Sequence, residues 1–374
     1  MKLAASRFLP RLGMAAAVLI ASGCATLRPA AIAETGAAPC QPAAPCATPL
    51  PVKAVIVTMF EIGKDEGDAP GEFQYWKERR PFTQRMAFPH SHHDIYYDPQ
   101  NQVVAIVTGM GTAKSTAAVM ALGLDQRFDF SKAYWLIAGI AGGDPHDVSI
   151  GSATWARFVV DGDLAHEIDP REMPKDWPTG YFALDTNFPF DPKRAPAKGE
   201  VFEANAKLRD WAYELTKDVK LTDMPEARDH ERQKYKGYPN AQKPPFVMKG
   251  DTLSAMTYWH GAKLNDWADN WVKYWSDGQG EFVTSAMEDS GTLQSLTYLG
   301  AVGRVNPQRV MVLRSVSNFT MQSPGMTAGE HFLSENNGYS GMKASLEALY
   351  VVGSKVLDEL TNNWDRYENH SPGD

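Results

Sequence analysis

Cysteine is nearly absent from this 374-residue chain: Cys24, Cys40 and Cys46 are its only three, and none follows position 46. The long C-terminal body therefore holds neither a thiol nucleophile nor a thiolate metal site. Positive charge is also scarce, with 37 Lys and Arg against 45 Asp and Glu, a formal −8. An acidic surface gives a polyanion little bulk attraction, so no nucleic acid is expected as a partner. Beyond the first thirty residues no apolar run approaches the ~20 residues that a membrane-crossing helix needs. Segments 134–143 and 351–360 are too short or too interrupted. What is present suits a folded body: 43% apolar, 11% aromatic and 22% charged residues exclude a disordered or fibrous chain and allow an ample core.

The N-terminus reads as a targeting segment. Lys2, Arg7 and Arg11 give a positive start, residues 14–21 give a short apolar core, and Ala21-Ser22-Gly23-Cys24 resembles a bacterial lipobox. The expectation is a leader over 1–24 with lipidation at Cys24, then an Ala/Pro-rich tether over 25–51. The competing reading is an ordinary secretory signal cut at Ala31-Ile32-Ala33. Either way the expected address is the bacterial cell envelope on its periplasmic side, with membrane contact through the N-terminal lipid only. Cys40 and Cys46 bracket a Pro/Ala stretch, where an oxidising compartment would allow a short disulfide that staples little.

From Lys53 onward, β-branched runs alternate with helical segments. The spacing predicts strands over 53–58, 102–108, 133–138 and 309–316, an Ala-rich helix over 112–124 after a glycine turn, and a closing amphipathic helix over 342–360. Strand, glycine turn, helix, strand is α/β grammar, with ligands at the strand ends. One domain over 52–374 is expected. It carries a charged, Pro-punctuated insertion around 170–249, with one helix near 204–220, that either covers the site or is a solvated connection. Trp259, Leu264, Trp267, Trp271 and Trp275 recur at helical spacing and read as core packing rather than a ligand platform.

Two glycine turns at successive strand ends outline a pocket: Gly109-Met-Gly111, and Gly139-Ile-Ala-Gly-Gly143 with Gly142. Met287-Glu288-Asp289 precedes a helical pattern, and Arg314-Ser-Val-Ser-Asn318 ends the late strand. Glu288 suits two vicinal hydroxyls and Asn318 suits the edge of a heteroaromatic base. The same residues also suit capping, Glu288 and Asp289 of the following helix and Asn318 of a turn; spacing alone leaves both open. His90-Ser-His-His-Asp94 invites a metal reading, but adjacent strand histidines face opposite ways, so no metal is expected there and a rim contact to ligand is favoured.

Taken in order, Gly109-Met-Gly111, Ala138-Gly-Ile-Ala-Gly-Gly143, Val159-Val-Asp-Gly-Asp163, Ala286-Met-Glu288 and Arg314-Ser-Val-Ser-Asn318 resemble the signature turns of the nucleoside phosphorylase superfamily. Lys249-Gly-Asp-Thr-Leu-Ser-Ala-Met-Thr-Tyr-Trp-His-Gly261 and Val283-Thr-Ser-Ala-Met-Glu-Asp-Ser-Gly-Thr-Leu293 resemble the purine nucleoside permease family within it, over roughly 53–362.

The resemblance implies an α/β fold of three layers, helix, mixed central sheet and helix, usually as a homo-oligomer. It implies that Glu288 binds ribose hydroxyls, that Met287 packs on the sugar and that Asn318 faces N7 of the purine. Gly250, Asp251, Thr252, Leu253 and Ser254 would line the base, and Glu61 would match the acid that activates water in nucleosidases. One departure stands out: phosphorylases of the superfamily hold phosphate with an arginine near the third strand, and here 133–138 carries no basic residue. Arg79, Arg80 and Arg85 read as a solvated cluster. No cofactor is expected, and phosphate, though a possible co-substrate, has no clear site. The implied function is an envelope-anchored purine nucleoside binder for uptake, feeding an inner-membrane transporter; the alternative is a nucleosidase or phosphorylase that cleaves the N-glycosidic bond.

Overall fold

Val55 and Val57 alternate with Ala54 and Ile56 along one strand, and every residue of it is buried. A strand apolar on both sides must be covered on both sides. That strand, β1 (Ala54–Thr58), lies inside a mixed sheet with β2 (Gln84–Met86), β3 (Ile95–Asp98), β4 (Val103–Val107), β5 (Tyr134–Gly143), β6 (Ala153–Ala156), β7 (Phe158–Asp161), β8 (Val201–Glu203), β9 (Val247–Lys249), β10 (Asp251–Ser254), β11 (Phe282–Ala286) and β12 (Val310–Phe319). The computed structural model describes residues 48–373 except 226, 228, 230, 231 and 336–339. The leader, Cys24, Cys40, Cys46 and the tether up to 47 lie outside the described residues.

One face of the sheet packs on α2 (Thr112–Leu124) and α5 (Asp289–Ala301): Val55, Val57, Trp135, Ile137 and Val312 join Val119, Leu122, Leu296 and Leu299 in one cluster. The other face packs on α3 (Ala206–Thr216) and α7 (Met342–Asn362), where Ala54, Ile56, Leu136 and Leu313 meet Leu208, Ala212, Leu349, Val352 and Val356. These are the three layers expected. Each large aliphatic side chain so buried contributes about 1.5–3 kcal/mol. Helix α4 (Ala262–Trp275) lies over a separate cluster that includes Trp267, Trp271, Trp275, Leu253 and Phe282. The tryptophan stripe is thus core, and the helix begins at Ala262, after Trp259.

The strand order is β8-β7-β10-β11-β5-β1-β4-β3-β2, and β12 runs beside β5 and joins β6, which pairs with β9. The 170–249 segment therefore supplies β8, β9 and α3 to the fold, and its described residues add a short strand at Tyr181–Phe182, paired antiparallel with His166–Glu167, and a 3-10 turn at Arg232–Lys234. Strand β5 is the branch point. Its first half, Tyr134 to Ile137, pairs in parallel with β1, while Gly142 and Gly143 pair antiparallel with Ser285 and Thr284 of β11. Strand β12 accompanies it throughout, from Val310 opposite Trp135 to Phe319 opposite Gly143.

Two strand ends differ from the sequence reading by more than a residue, and the helix expected near 204–220 is shorter, Ala206–Thr216. Residues 139–143 are strand rather than a turn, and β12 continues through Asn318 instead of stopping at 316. The physical reason is close approach: a Cβ on Gly139 would stand 2.2 Å from Arg314 Nη1 and 2.8 Å from Glu72 Oε1. Glycine here makes room for side chains lying across the strand while the ladder continues. The register of β12 shifts between Val316 and Asn318, a bulge that re-aims the following side chain.

Candidate functional site

Where β5 changes partners, the sheet buries a charged cluster. Arg314, 1% exposed, projects from β12. Its Nε and Nη2 donate to Asp289 (3.1 and 2.5 Å), Nη2 also to Glu288 Oε2 (3.2 Å), and Nη1 to the Ile140 carbonyl (2.9 Å). Glu72 sits just before α1 (Gln74–Arg79); Oε1 accepts from the Ile140 N–H and Oε2 from the Met59 N–H, both at 2.7 Å. Three buried carboxylates thus surround one guanidinium. With all three ionised, the cluster would keep net negative charge away from water, and such a group responds by holding protons. Burial first, then the neighbouring Glu288, pushes Glu72 up to about 8 against the pull of Arg314. Glu288 is also raised, chiefly by burial. The surrounding carboxylates hold Arg314 above its ordinary range despite its burial.

Glu288 takes the N-cap position of α5, yet its side chain makes no cap. It reaches the glycine turn instead: Gly111 donates its N–H to Oε1 at 3.1 Å, and the Met287 N–H lies 3.3 Å from Oε2. Gly109 and Gly111 adopt φ of +89° and +95°, a left-handed backbone that favours glycine. The capping reading of Glu288 therefore gives way to a tie between the turn and the buried arginine. Met287 is half-buried, and its carbonyl accepts from Thr112 Oγ1.

Asn318, 3% exposed, lies in β12 opposite Gly142, which on its other edge faces Ser285, three residues before Glu288. Its Oδ1 accepts from Ser317 Oγ (2.9 Å), and Nδ2 donates to Tyr258 Oη (2.9 Å) and the Phe319 carbonyl (3.3 Å). A Cβ on Gly142 would meet Asn318 Nδ2 at 3.4 Å. The structure thus brings Glu288 and Asn318 to opposite edges of β5; among the described residues no hydrogen bond joins them directly.

The other candidates fall elsewhere. Glu61 spends its carboxylate on the N–H groups of Ile62, Gly71, Phe73 and Gln74, shaping the loop into α1. The third carboxylate beside Arg314 is Glu72, which sequence reasoning missed because no motif marks it. Within 250–254 the polar groups are satisfied by the sheet and the start of α5: Asp251 accepts from the N–H groups of Arg157, Phe158 and Glu281, Thr252 shares a hydrogen bond with Thr284, and Ser254 with Ser290. Leu253 is core, and a Cβ on Gly250 would collide with Val283. From the same stretch it is Tyr258 that touches Asn318, beside the exposed Met256.

Arg79, Arg80 and Arg85 pair with Glu347, Asp358 and Asp94. In the histidine motif, His93 pairs with Asp65, and Asp94 with Arg85 and the Phe88 N–H. His92 lies against the glycine turn, 3.6 Å from a Cβ built on Gly109.

The sequence matches the model of the purine nucleoside permease family over residues 51–372. The chain belongs to that family. A Candida albicans protein described as a purine nucleoside permease is 32% identical over 323 residues, 84% of this chain and 76% of the relative. A Schizosaccharomyces pombe protein described as a probable purine nucleoside permease is 30% identical over 279 residues, 72% of this chain and 79% of the relative. Among solved structures, a Helicobacter pylori MTAN mutant with 5′-methylthioadenosine in its active site aligns with a TM-score of 0.50 at 15% identity, covering 83% of this chain and 99% of that one. The futalosine hydrolase of Helicobacter pylori aligns equally well, at 0.50 and 15%, over 83% and 98%. The permease-family chain therefore has the nucleoside phosphorylase-like fold.

Proposed function

We propose that this permease-family chain binds purine nucleosides at the β5 branch point and serves in their uptake. The observation that carries this reading is Glu288: a buried carboxylate that declines its helix cap and is instead held by the Gly111 N–H and Arg314. A carboxylate fixed in that way suits a ribose hydroxyl pair, and Asn318, across β5, suits the base edge. The ligand class is supported by the family, whose relatives are described as purine nucleoside permeases. Among the described residues no helix is long and apolar enough to cross a membrane. In this reading the chain is tethered in the envelope through Cys24 and delivers its ligand to a separate inner-membrane transporter. The lipobox-like leader supports that placement.

A second reading, hydrolysis of the N-glycosidic bond, is favoured by Glu72. A buried carboxyl pushed up to about 8 beside the sugar-binding carboxylate is a group that could take a proton from attacking water once ionised. Arg314 favours water over phosphate in that reading, because its donors are engaged by Asp289, Glu288 and Ile140.

One experiment separates the readings. The purified chain is incubated with inosine, guanosine and adenosine, with and without phosphate; binding is followed by calorimetry and free base by chromatography. Binding without product supports uptake. Free base without phosphate, at a rate rising toward pH 8, supports hydrolysis, and product only with phosphate overturns both. Glu288→Ala is expected to weaken ribonucleoside binding at least tenfold, since each hydrogen bond to a charged acceptor contributes about 1.5–3 kcal/mol. Unchanged affinity would remove the sugar site from Glu288.

A further inference from the structure

Beside Tyr258, two imidazoles and a carboxylate converge outside the charged cluster. His331 and Glu335 lie one turn apart on α6 (Ala328–Glu335), on the same face of the helix. His260 approaches from the loop that precedes α4. His331 Nδ1 stands 3.1 Å from His260 Nε2 and 3.9 Å from Glu335 Oε2, and one ligand atom from each residue lies within 4.8 Å of the other two. Ligand atoms each about 2.1 Å from one ion stand roughly 3–3.5 Å apart, so small side-chain adjustments close the set.

Hydrogen bonding orients the His331 ring. Tyr235 donates its single hydroxyl proton to the Met321 carbonyl at 2.6 Å, so toward His331 Nε2, 3.2 Å away, it accepts. His331 Nε2 thus faces the Tyr235 hydroxyl, and Nδ1 faces His260 Nε2. A ligating histidine anchored through its other N–H is the usual arrangement in metal centres. His331 is fully buried, Glu335 nearly so and His260 half-buried, which shields the cluster while keeping one approach from outside.

We propose that His260, His331 and Glu335 bind one divalent transition-metal ion, Zn²⁺ foremost, through two imidazole nitrogens and a carboxylate. The donor set suits an ion of borderline softness rather than Mg²⁺ or Ca²⁺. In the metal-free chain His260 Nε2–H donates to His331 Nδ1. When the ion takes both nitrogens, that proton moves to His260 Nδ1, a buried nitrogen without a hydrogen-bond partner, so the imidazole stays neutral and no proton need be released. Three protein ligands leave a coordination position for water or a ligand atom. The ion would also pin α6 to the loop bearing Tyr258, because Phe332 packs 5.7 Å from the Tyr258 ring and 6.3 Å from that of His260. Metal binding is a property of these three residues and does not depend on the nucleoside reading.

The test starts from chain purified through a chelator and titrated with Zn²⁺ by calorimetry, with Co²⁺ as a spectroscopic probe. The expected result is saturation at one ion per chain, with Co²⁺ giving the intense visible bands of a low-coordinate nitrogen–oxygen site. His260→Ala, at a half-exposed position, and Glu335→Gln are each expected to weaken binding roughly 100-fold, and Tyr235→Phe roughly tenfold, as loss of an orienting partner does. Thermal melting of each metal-free variant checks that it is folded; if Glu335→Gln fails to fold, His260→Ala alone decides. Absence of stoichiometric binding overturns the proposal, and so does Zn²⁺ affinity unchanged in folded His260→Ala, which would place the ion on other histidines such as those of the 90–93 motif.

Discussion

Glu72 makes the stability of the whole chain depend on pH in a direction opposite to that of a typical salt-bridged carboxylate. Burial raises it from the ordinary 4.5 to about 8, so between those values the folded chain keeps a proton that the unfolded chain releases. Folding stability must then fall as pH rises through this window and level off above it. Each tenfold difference in proton affinity is about 1.4 kcal/mol, so the separation corresponds to a loss on the order of 5 kcal/mol, comparable to the entire stability of a marginal domain. Because Glu288 titrates in contact with the same arginine, the window belongs to the pair. Glu72→Gln removes the titrating group. It also carries a cost, because both Glu72 oxygens accept backbone N–H groups while an amide offers one acceptor, leaving Met59 or Ile140 opposite a donor, at about 1–3 kcal/mol. Urea denaturation of both chains from pH 5 to pH 9 reads the outcome. The variant is expected to be the less stable near pH 5 and to lose its disadvantage toward pH 9. A gap between the two chains that stays constant across that range would refute a proton held at Glu72.

Three further outcomes follow from the packing. Gly139→Ala drives a methyl into Arg314 and Glu72 and is expected to cost about 3 kcal/mol, as disrupting a buried ion pair does, measured by chemical denaturation. Trp271→Ala empties the centre of the α4 cluster, where Trp271 is fully buried and its Nε1 donates to the Asp161 carbonyl; a loss of about 3–5 kcal/mol is expected in the same assay. Asn318→Ala, under the nucleoside reading, is expected to flatten the preference among inosine, guanosine and adenosine in calorimetry while leaving ribose-dependent affinity in place.

The legible parts of the sequence were those where one local signal dominates. β-branched runs gave β1, β4 and the first half of β5 nearly to the residue, and the Ala-rich run after Gly111 gave α2. Strand ends were misjudged wherever small residues continued a ladder: 139–143 reads as a turn in isolation, but pairing with β11 and β12 makes it strand. At the site, Glu288 was legible through its motif. Glu72 was not, since it lies in an irregular loop 13 residues after Met59, the backbone group it binds. Arg314 was legible as a residue but not as the hub of three carboxylates, because Glu72 reaches it from a part of the chain far from the neighbouring pair Glu288 and Asp289. The pairing of His260 with His331 spans 71 positions and carries no local mark beyond the turn spacing of His331 and Glu335.

The change of partner along β5 gives its midpoint a mechanical role. Strands β1 to β4 on one flank and β11, β10, β7 and β8 on the other are joined through this single backbone, reinforced by β12. A small molecule lodged there would act as a rivet between two wings. Its signature would be slower amide exchange in both flanks at once, rather than protection confined to the residues it touches.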